Sequence, residues 1–149
     1  MDIEPLFQAY KDDVYRLAMS YTRSAQEAED ICQIVFLKLM EHSVMPGKER
    51  AWLMQVTANQ CRSLLRSSWW RKTAPLEEFR SSDQEKHGEV YAALMTLPPK
   101  YRVVLYLHYY ERSSTAEIAK LLHISQSTVT TRLSRGRQLM KEMLKEAYV

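Results

Sequence analysis

The chain has 149 residues, 46% of them hydrophobic, a formal net charge of +3, and only three glycines and five prolines. That length allows one ordinary domain or two small helical ones, and abundant Leu, Met, Ala, Glu, Lys and Arg without period-two alternation predicts an all-α class. No stretch is long and apolar enough to span a membrane, and the opening MDIEPLFQAYKDD lacks the basic-then-apolar layout of a signal peptide, so a cytoplasmic protein is expected.

The N-terminal half reads as four helical elements, a count that allows for a short break between the first two. The first lies near residues 4–22, where Leu6, Phe7, Tyr10, Val14, Leu17, Ala18 and Tyr21 recur at helical spacing. The second runs from about Ala25 to His42 with Ile31, Val35, Phe36 and Leu39 inward, and Thr22 or Ser24 stands where an N-cap is needed. Pro46 and Gly47 break the pattern. A further helix from about Arg50 to Trp70 is expected to bury Trp52, Leu53, Val56, Leu64 and Leu65 and to carry Arg62, Arg66, Arg71 and Lys72 toward its end. Cys32 and Cys61 have no C-x-x-C spacing and read as two small buried hydrophobes in a reducing compartment, with a redox role the weaker alternative.

Residues 73–88, TAPLEEFRSSDQEKHG, lack a sustained apolar stripe and read as a flexible linker, so two small helical domains are expected, over 1–72 and 89–149. After it, Val90, Ala93, Leu94 and Leu97 begin a helix ending at Pro98-Pro99. Tyr101 to Tyr110 form another with Val104, Leu105 and His108 inside. Charge is segmented over these elements: −4 over residues 1–42, +5 over 43–72, −3 over 73–89 and +5 over 90–149. Two basic blocks suit two contacts with a polyanion, and the acidic first block suits a protein partner, although such runs also occur as plain solvated surface.

Residues 115–137, TAEIAKLLHISQSTVTTRLSRGR, read as a helix-turn-helix. Ile118, Ala119, Leu121 and Leu122 share a stripe, His123 and Ile124 turn the chain, and Ser125 is a good N-cap for a second helix whose Val129 and Leu133 face the first. Gln126, Ser127, Thr128, Thr130, Thr131, Ser134, Arg135 and Arg137 then point outward, offering short donors and acceptors together with cations for phosphates. A solvated amphipathic hairpin is the plainer reading of this segment alone.

AEDICQIVFLKL from Ala28, AWLMQVTANQCRSLLR from Ala51, LPPKYRVVLYLHYYERSSTAEIAKLL from Leu97 and HISQSTVTTRLSRGR after it stand in one order and spacing. In these motifs nearly the whole chain resembles the extracytoplasmic-function group of the sigma-70 family, small bacterial RNA polymerase sigma factors built from regions two and four. The resemblance implies region 2 over 1–72 and region 4 over 89–149. It also implies binding to core RNA polymerase through the β′ clamp and β flap, and promoter-specific initiation in a stress or envelope response. Glu29, Asp30 and Gln33 would then dock on the clamp. Lys48, Arg50, Arg62 and Arg66 would anchor the minus-ten strand, with an extruded base held by the loop near Ser43 to Glu49. Trp52 reads as core and Asn59 as a structural hydrogen-bonder rather than as base readers. Thr130, Thr131, Ser134 and Arg135 would face base edges or nearby backbone of the minus-thirty-five element, and Gln126, Ser127, Arg132 and Arg137 its phosphates, with Arg135 the preferred base reader. An anti-sigma factor, membrane-bound or not, is a further partner implied by the group.

The chain departs from the family's pattern at particular positions. Ile34 stands where an acidic residue is common, Ser63 where aspartate is, Thr130 where a basic residue is, and His123 where a turn glycine is. Trp69 and Trp70 occupy an end of region two that is usually rich in arginine, and read equally as a contact surface or as a hydrophobic cap. No phosphate-binding Gly-rich loop, metal-ligand cluster or nucleophile triad is present in the sequence, so no catalytic residue, metal or cofactor is expected. The main competing reading is a stand-alone helix-turn-helix regulator with residues 1–72 as a sensor or dimerisation module.

Overall fold

The computed structural model describes residues 3–66 and 81–147, which among themselves form seven helices and no strand. Trp69, Trp70, Arg71, Lys72 and residues 73–80 of the expected linker lie outside the described residues. The chain divides into two compact units, Met1–Leu76 and Glu77–Val149.

The first unit packs α1 (Glu4–Thr22), α2 (Ala25–Glu41) and α3 (Glu49–Arg66) against one another. Among the described residues of this unit three helices stand where four elements were expected, and the junction of α1 and α2 is a tight turn. Arg23 takes a left-handed conformation (φ 54°) and its N–H closes on the Met19 carbonyl. Ser24 is extended, and its hydroxyl accepts the Glu27 N–H at 3.2 Å, so the cap belongs to Ser24. Thr22 instead donates its hydroxyl to the Ala18 carbonyl at 2.9 Å and accepts the Ser24 N–H, which locks the reversal.

Val14, Leu17, Ala18 and Tyr21 of α1 meet Ala28, Ile31, Val35, Phe36 and Leu39 of α2 in the core. On α3 the buried face differs from the expected one. Leu53, Met54, Thr57, Ala58 and Cys61 are buried, whereas Trp52, Val56, Leu64 and Leu65 are only half-buried. Small residues let α3 approach closely, and Thr57 satisfies its hydroxyl on the Leu53 carbonyl at 2.6 Å. Of the two cysteines expected to be buried, Cys61 is and Cys32 is half-buried; burial pushes the Cys32 thiol up to about 11 and that of Cys61 further, which keeps both protonated.

The second unit contains α4 (Ser81–Thr96), α5 (Pro99–Tyr109), α6 (Thr115–Leu122) and α7 (Gln126–Ala147). Residues 81–87, expected to be linker, are helical; Asp83, Gln84, Glu85 and Lys86 are helix-compatible, and the break comes at Gly88 (φ 73°, ψ −172°). The helix expected to end at Pro98-Pro99 stops at Thr96, and Pro98 becomes the cap of α5 with a proline in its first turn. Val103 to Leu107 are all buried, so α5 is the central helix, in contact with α4, α6 and α7. Arg102 is 1% exposed and donates to the Leu97 carbonyl at 2.6 Å, tying the end of α4 to α5. His108 is half-buried and not interior, with its Nδ1 3.0 Å from the Ser113 carbonyl oxygen.

Candidate nucleic-acid and protein interfaces

On α2 the structure places Glu29 and Gln33 at the surface and Asp30 half-buried, with Gln26 donating to Asp30 at 3.2 Å. Helical phase continues this face into Ile34, Leu37 and Met40, which are 40%, 59% and 61% exposed. An acidic and amide-bearing start thus runs into about two turns of unpartnered apolar surface, the makeup of a protein-docking face. Leu37 and Met40 were missed in the sequence, where they pass as further core hydrophobes. Their signal is phase: they fall off the Ile31, Val35 and Leu39 spacing.

The four basic residues expected to anchor the minus-ten strand fall into two places. Gln55, Asn59, Arg62 and Arg66 follow i, i+4, i+7 and i+11 along α3, and the Asn59 side-chain oxygen accepts from Gln55 at 3.1 Å and from Arg62. In this hydrogen-bonded polar stripe Asn59 is the shared acceptor. Arg50 lies twelve residues before Arg62, about 18 Å along the axis and well away in phase. Its guanidinium reaches back to Asp13 of α1 at 3.2 Å.

Lys48 is exposed at the end of the loop before α3, where its N–H bonds the Met45 carbonyl at 3.0 Å and Gly47 has φ 85°. The Glu49 carboxylate accepts the Gly47 N–H at 2.9 Å and fixes that turn, and Met45 stands 71% exposed at its tip. Trp52 is half-buried and packs on His42 with ring centroids 5.6 Å apart, bracing the loop from below.

In the second unit a capping box opens α6: Ser114 accepts the Glu117 N–H at 3.1 Å and Glu117 accepts the Ser114 N–H at 3.0 Å. His123 closes α6 in the left-handed region (φ 57°, ψ 44°), so the departure from a turn glycine keeps that backbone at the cost of strain. Ser125 caps α7 by accepting the Thr128 N–H at 3.1 Å, as expected. Ile118, Leu122, Val129 and Leu133 seal the two helices, while Ala119 and Leu121 are half-buried.

The expected outward row of α7 sorts into different environments. Ser127, Thr130, Thr131, Ser134, Arg135 and Arg137 are exposed; Thr128 and Arg132 are half-buried. Thr130 and Thr131 donate their hydroxyls to the Gln126 and Ser127 carbonyls at 3.1 and 3.0 Å, so they present acceptors and methyl groups to whatever lies outside. On one flank Gln126 donates to Thr115 at 2.7 Å and Arg137 to the Tyr109 hydroxyl at 2.9 Å. On the other, Arg132 and Arg135 join Lys100 and Tyr101 of α5 around a cleft of about 280 Å³. A hydrogen bond from Arg135, with Lys100 adding to it, holds the Tyr101 phenol below the usual tyrosine range. Lys100 and Tyr101 escaped the sequence reading because they precede the helix-turn-helix.

The close approach of α7 to α5 depends on Gly136. A Cβ there would stand 2.7 Å from Leu105 Cδ1 and 3.4 Å from Tyr101 Cβ. Among the described residues no group of three or more His, Cys, Asp or Glu could hold a metal, and no helix is long and apolar enough to cross a membrane.

Comparison with known proteins follows this division. The family description Sigma-70 region 2 matches residues 6–71, and Sigma-70, region 4 matches residues 87–140. The RNA polymerase sigma factor SigV of Bacillus subtilis is 30% identical over 91% of this chain and 86% of its own length. The ECF RNA polymerase sigma factor SigM of the same organism is 29% identical over 96% of this chain and 95% of its own. SigE of Mycolicibacterium smegmatis, also an ECF RNA polymerase sigma factor, is 29% identical over 95% of this chain, which spans 61% of that relative's length. The fold resembles that of the sigma factor RpoE from Bartonella quintana, solved in complex with the anti-sigma factor NepR, with a TM-score of 0.71 over 97% of each chain at 20% identity.

Proposed function

The chain belongs to the extracytoplasmic-function group of the sigma-70 family of RNA polymerase sigma factors, and from that premise we propose how its two units share promoter-specific transcription initiation. The first unit, region 2, docks on the β′ clamp of core polymerase through Glu29, Asp30 and Gln33, and the exposed Ile34, Leu37 and Met40 extend that contact. Packing thereby replaces the acidic contact that Ile34 forgoes. The same unit grips the minus-ten strand at two points: Lys48 with Arg50 at the loop, and Arg62 with Arg66 on the α3 stripe.

The second unit, region 4, lays α7 in the major groove of the minus-thirty-five element and meets the β flap. Thr130, Thr131, Ser134 and Arg135 face base edges; the two threonines serve as acceptors toward amino groups or as methyl contacts to thymine. Gln126, Ser127, Arg132 and Arg137 serve the flanking phosphates, with Gln126 and Arg137 held in place by Thr115 and Tyr109. The protein works in the cytoplasm as a factor rather than a catalyst, and an anti-sigma factor, as in the Bartonella complex, is its expected regulator.

The observation that carries this reading is the paired match of regions 2 and 4, in order, to two separately packed units. Run-off transcription from a library of genomic fragments, with core polymerase and with or without the chain, tests it. Initiation at discrete sites is expected only when the chain is added. Absence of any such site, together with tight sequence-specific binding by the chain alone, would instead favour a stand-alone regulator.

A further inference from the structure

The loop before α3 is closed at its base from two sides. On one, His42 at the end of α2 packs on Trp52. On the other, Arg50 in the first turn of α3 reaches across to Asp13 near the middle of α1, its Nε 3.2 Å from the Asp13 Oδ2. The second oxygen of the same carboxylate, Oδ1, accepts from the Arg16 Nη2 at 2.5 Å, one turn further along α1. Each oxygen of Asp13 thus holds one guanidinium, so the carboxylate that meets Arg50 is itself pinned by Arg16.

Stability is a poor account of this pair. Both side chains are partly open to water, and such ion pairs add little to folding, because solvent screens them and two side chains must be ordered. Direction is a better account. A guanidinium is a rigid planar fork with five N–H donors, more than one carboxylate oxygen can take, so a carboxylate fixed at Nε sets the plane in which the others are presented. An arginine ordered in advance also loses less side-chain entropy when an anion arrives.

We propose that Asp13 is a positioning residue for the minus-ten strand, holding the Arg50 guanidinium at the base of the loop in the orientation that receives a backbone phosphate. The proposal rests on Arg50 being an anchor of that strand, and it brings α1 into promoter opening. It also gives a negative charge a favourable part in DNA binding. Charge alone dictates the reverse, since a carboxylate beside a polyanion repels it and its removal would tighten binding. Geometry and net charge therefore predict opposite signs for one substitution.

The test uses holoenzyme, core polymerase with the full chain, and a promoter recovered by run-off transcription, presented as a fork junction whose minus-ten non-template strand is single. Asp13→Asn keeps the shape of the side chain and removes its charge. It should weaken binding by about two- to tenfold, the entropy of ordering one long side chain, and leave the slope of log affinity against log salt unchanged. Arg50→Met should weaken binding and lower that slope by about 0.7, the share of one phosphate on a single strand. In the Arg50→Met background Asp13→Asn should have no further effect, whereas damage to the fold would persist there.

Tighter binding by Asp13→Asn would make Asp13 a mask over Arg50 and overturn the positioning role. Unchanged affinity, or a loss that survives in the Arg50→Met background, overturns it as well. In each of these cases Arg50→Met still weakens binding and flattens the salt slope, and the anchor stands. An Arg50→Met holoenzyme with wild-type affinity and slope would remove the anchor and the proposal together.

Discussion

Arg135 concentrates the question of how this protein chooses a promoter. Its guanidinium is exposed on α7, at the rim of the cleft that it lines together with Lys100 and Tyr101 of α5. If it contacts guanine through two donors, Arg135→Ala should lose about 1–3 kcal/mol of affinity for the correct duplex and relax preference at that base pair alone. Equilibrium titration of correct and singly altered duplexes measures both. Equal losses on all of them would make Arg135 a phosphate contact. Gly136 is its neighbour on α7. Adding a methyl group 2.7 Å from the buried Leu105 Cδ1 costs about 1–3 kcal/mol of overpacking, against about 1 kcal/mol gained in helix propensity. Overpacking wins, so Gly136→Ala should speed amide hydrogen exchange along α5 and α7 and leave α1 to α3 unaffected. Slower exchange there would mean that Leu105 swings aside freely.

At the scale of the helix, α2 carries two faces that the sequence separates only by phase. Ala28, Ile31, Val35, Phe36 and Leu39 are buried, while Ile34, Leu37 and Met40 stay exposed on a helix that is sound without them. Leu37→Lys keeps a good helix former at a 59% exposed position, so stability should change by less than about 0.5 kcal/mol. Affinity for core polymerase should nevertheless fall at least about tenfold, since a desolvated apolar contact is replaced by a charge. Binding of the labelled full chain to core polymerase reads this directly, and an unchanged affinity would remove the stripe from the docking surface.

The same elements explain what could be read in advance. A cap at Thr22 or Ser24, the cap at Ser125 and the buried pair Val129 and Leu133 were legible because each is settled within a turn or two of helix. The face of α3 was misjudged because Thr57, Ala58 and Cys61 carry little hydrophobic signal, yet their small size is what admits the neighbouring helices. Arg50 was named with Arg62 and Arg66 because the resemblance gives all three one role, and a role carries no helical phase. Lys100 and Tyr101 meet α7 only after the chain has folded back over some thirty residues, a contact that local pattern cannot contain.

For the molecule as a whole, the division into two units predicts how many copies act. Among the described residues one helix-turn-helix is present, in the second unit. The first unit offers the apolar stripe of α2 and the polar stripe of α3. A dimeric regulator would need two copies of α7 about 34 Å apart on inverted half-sites, with the α2 stripe spent on self-association. A sigma factor would spend that stripe on polymerase and use one copy across two unlike promoter elements. Mass measurement of the complex of chain, core polymerase and promoter should therefore give one copy of each. An inverted-repeat duplex should bind the chain alone no more tightly per site than a single half-site, because nothing couples the two copies. Cooperative loading of two chains on the repeat, abolished by Leu37→Lys, would mean that the apolar face of α2 joins protomers instead of meeting polymerase. It would separate the docking surface from the family function that the chain otherwise carries.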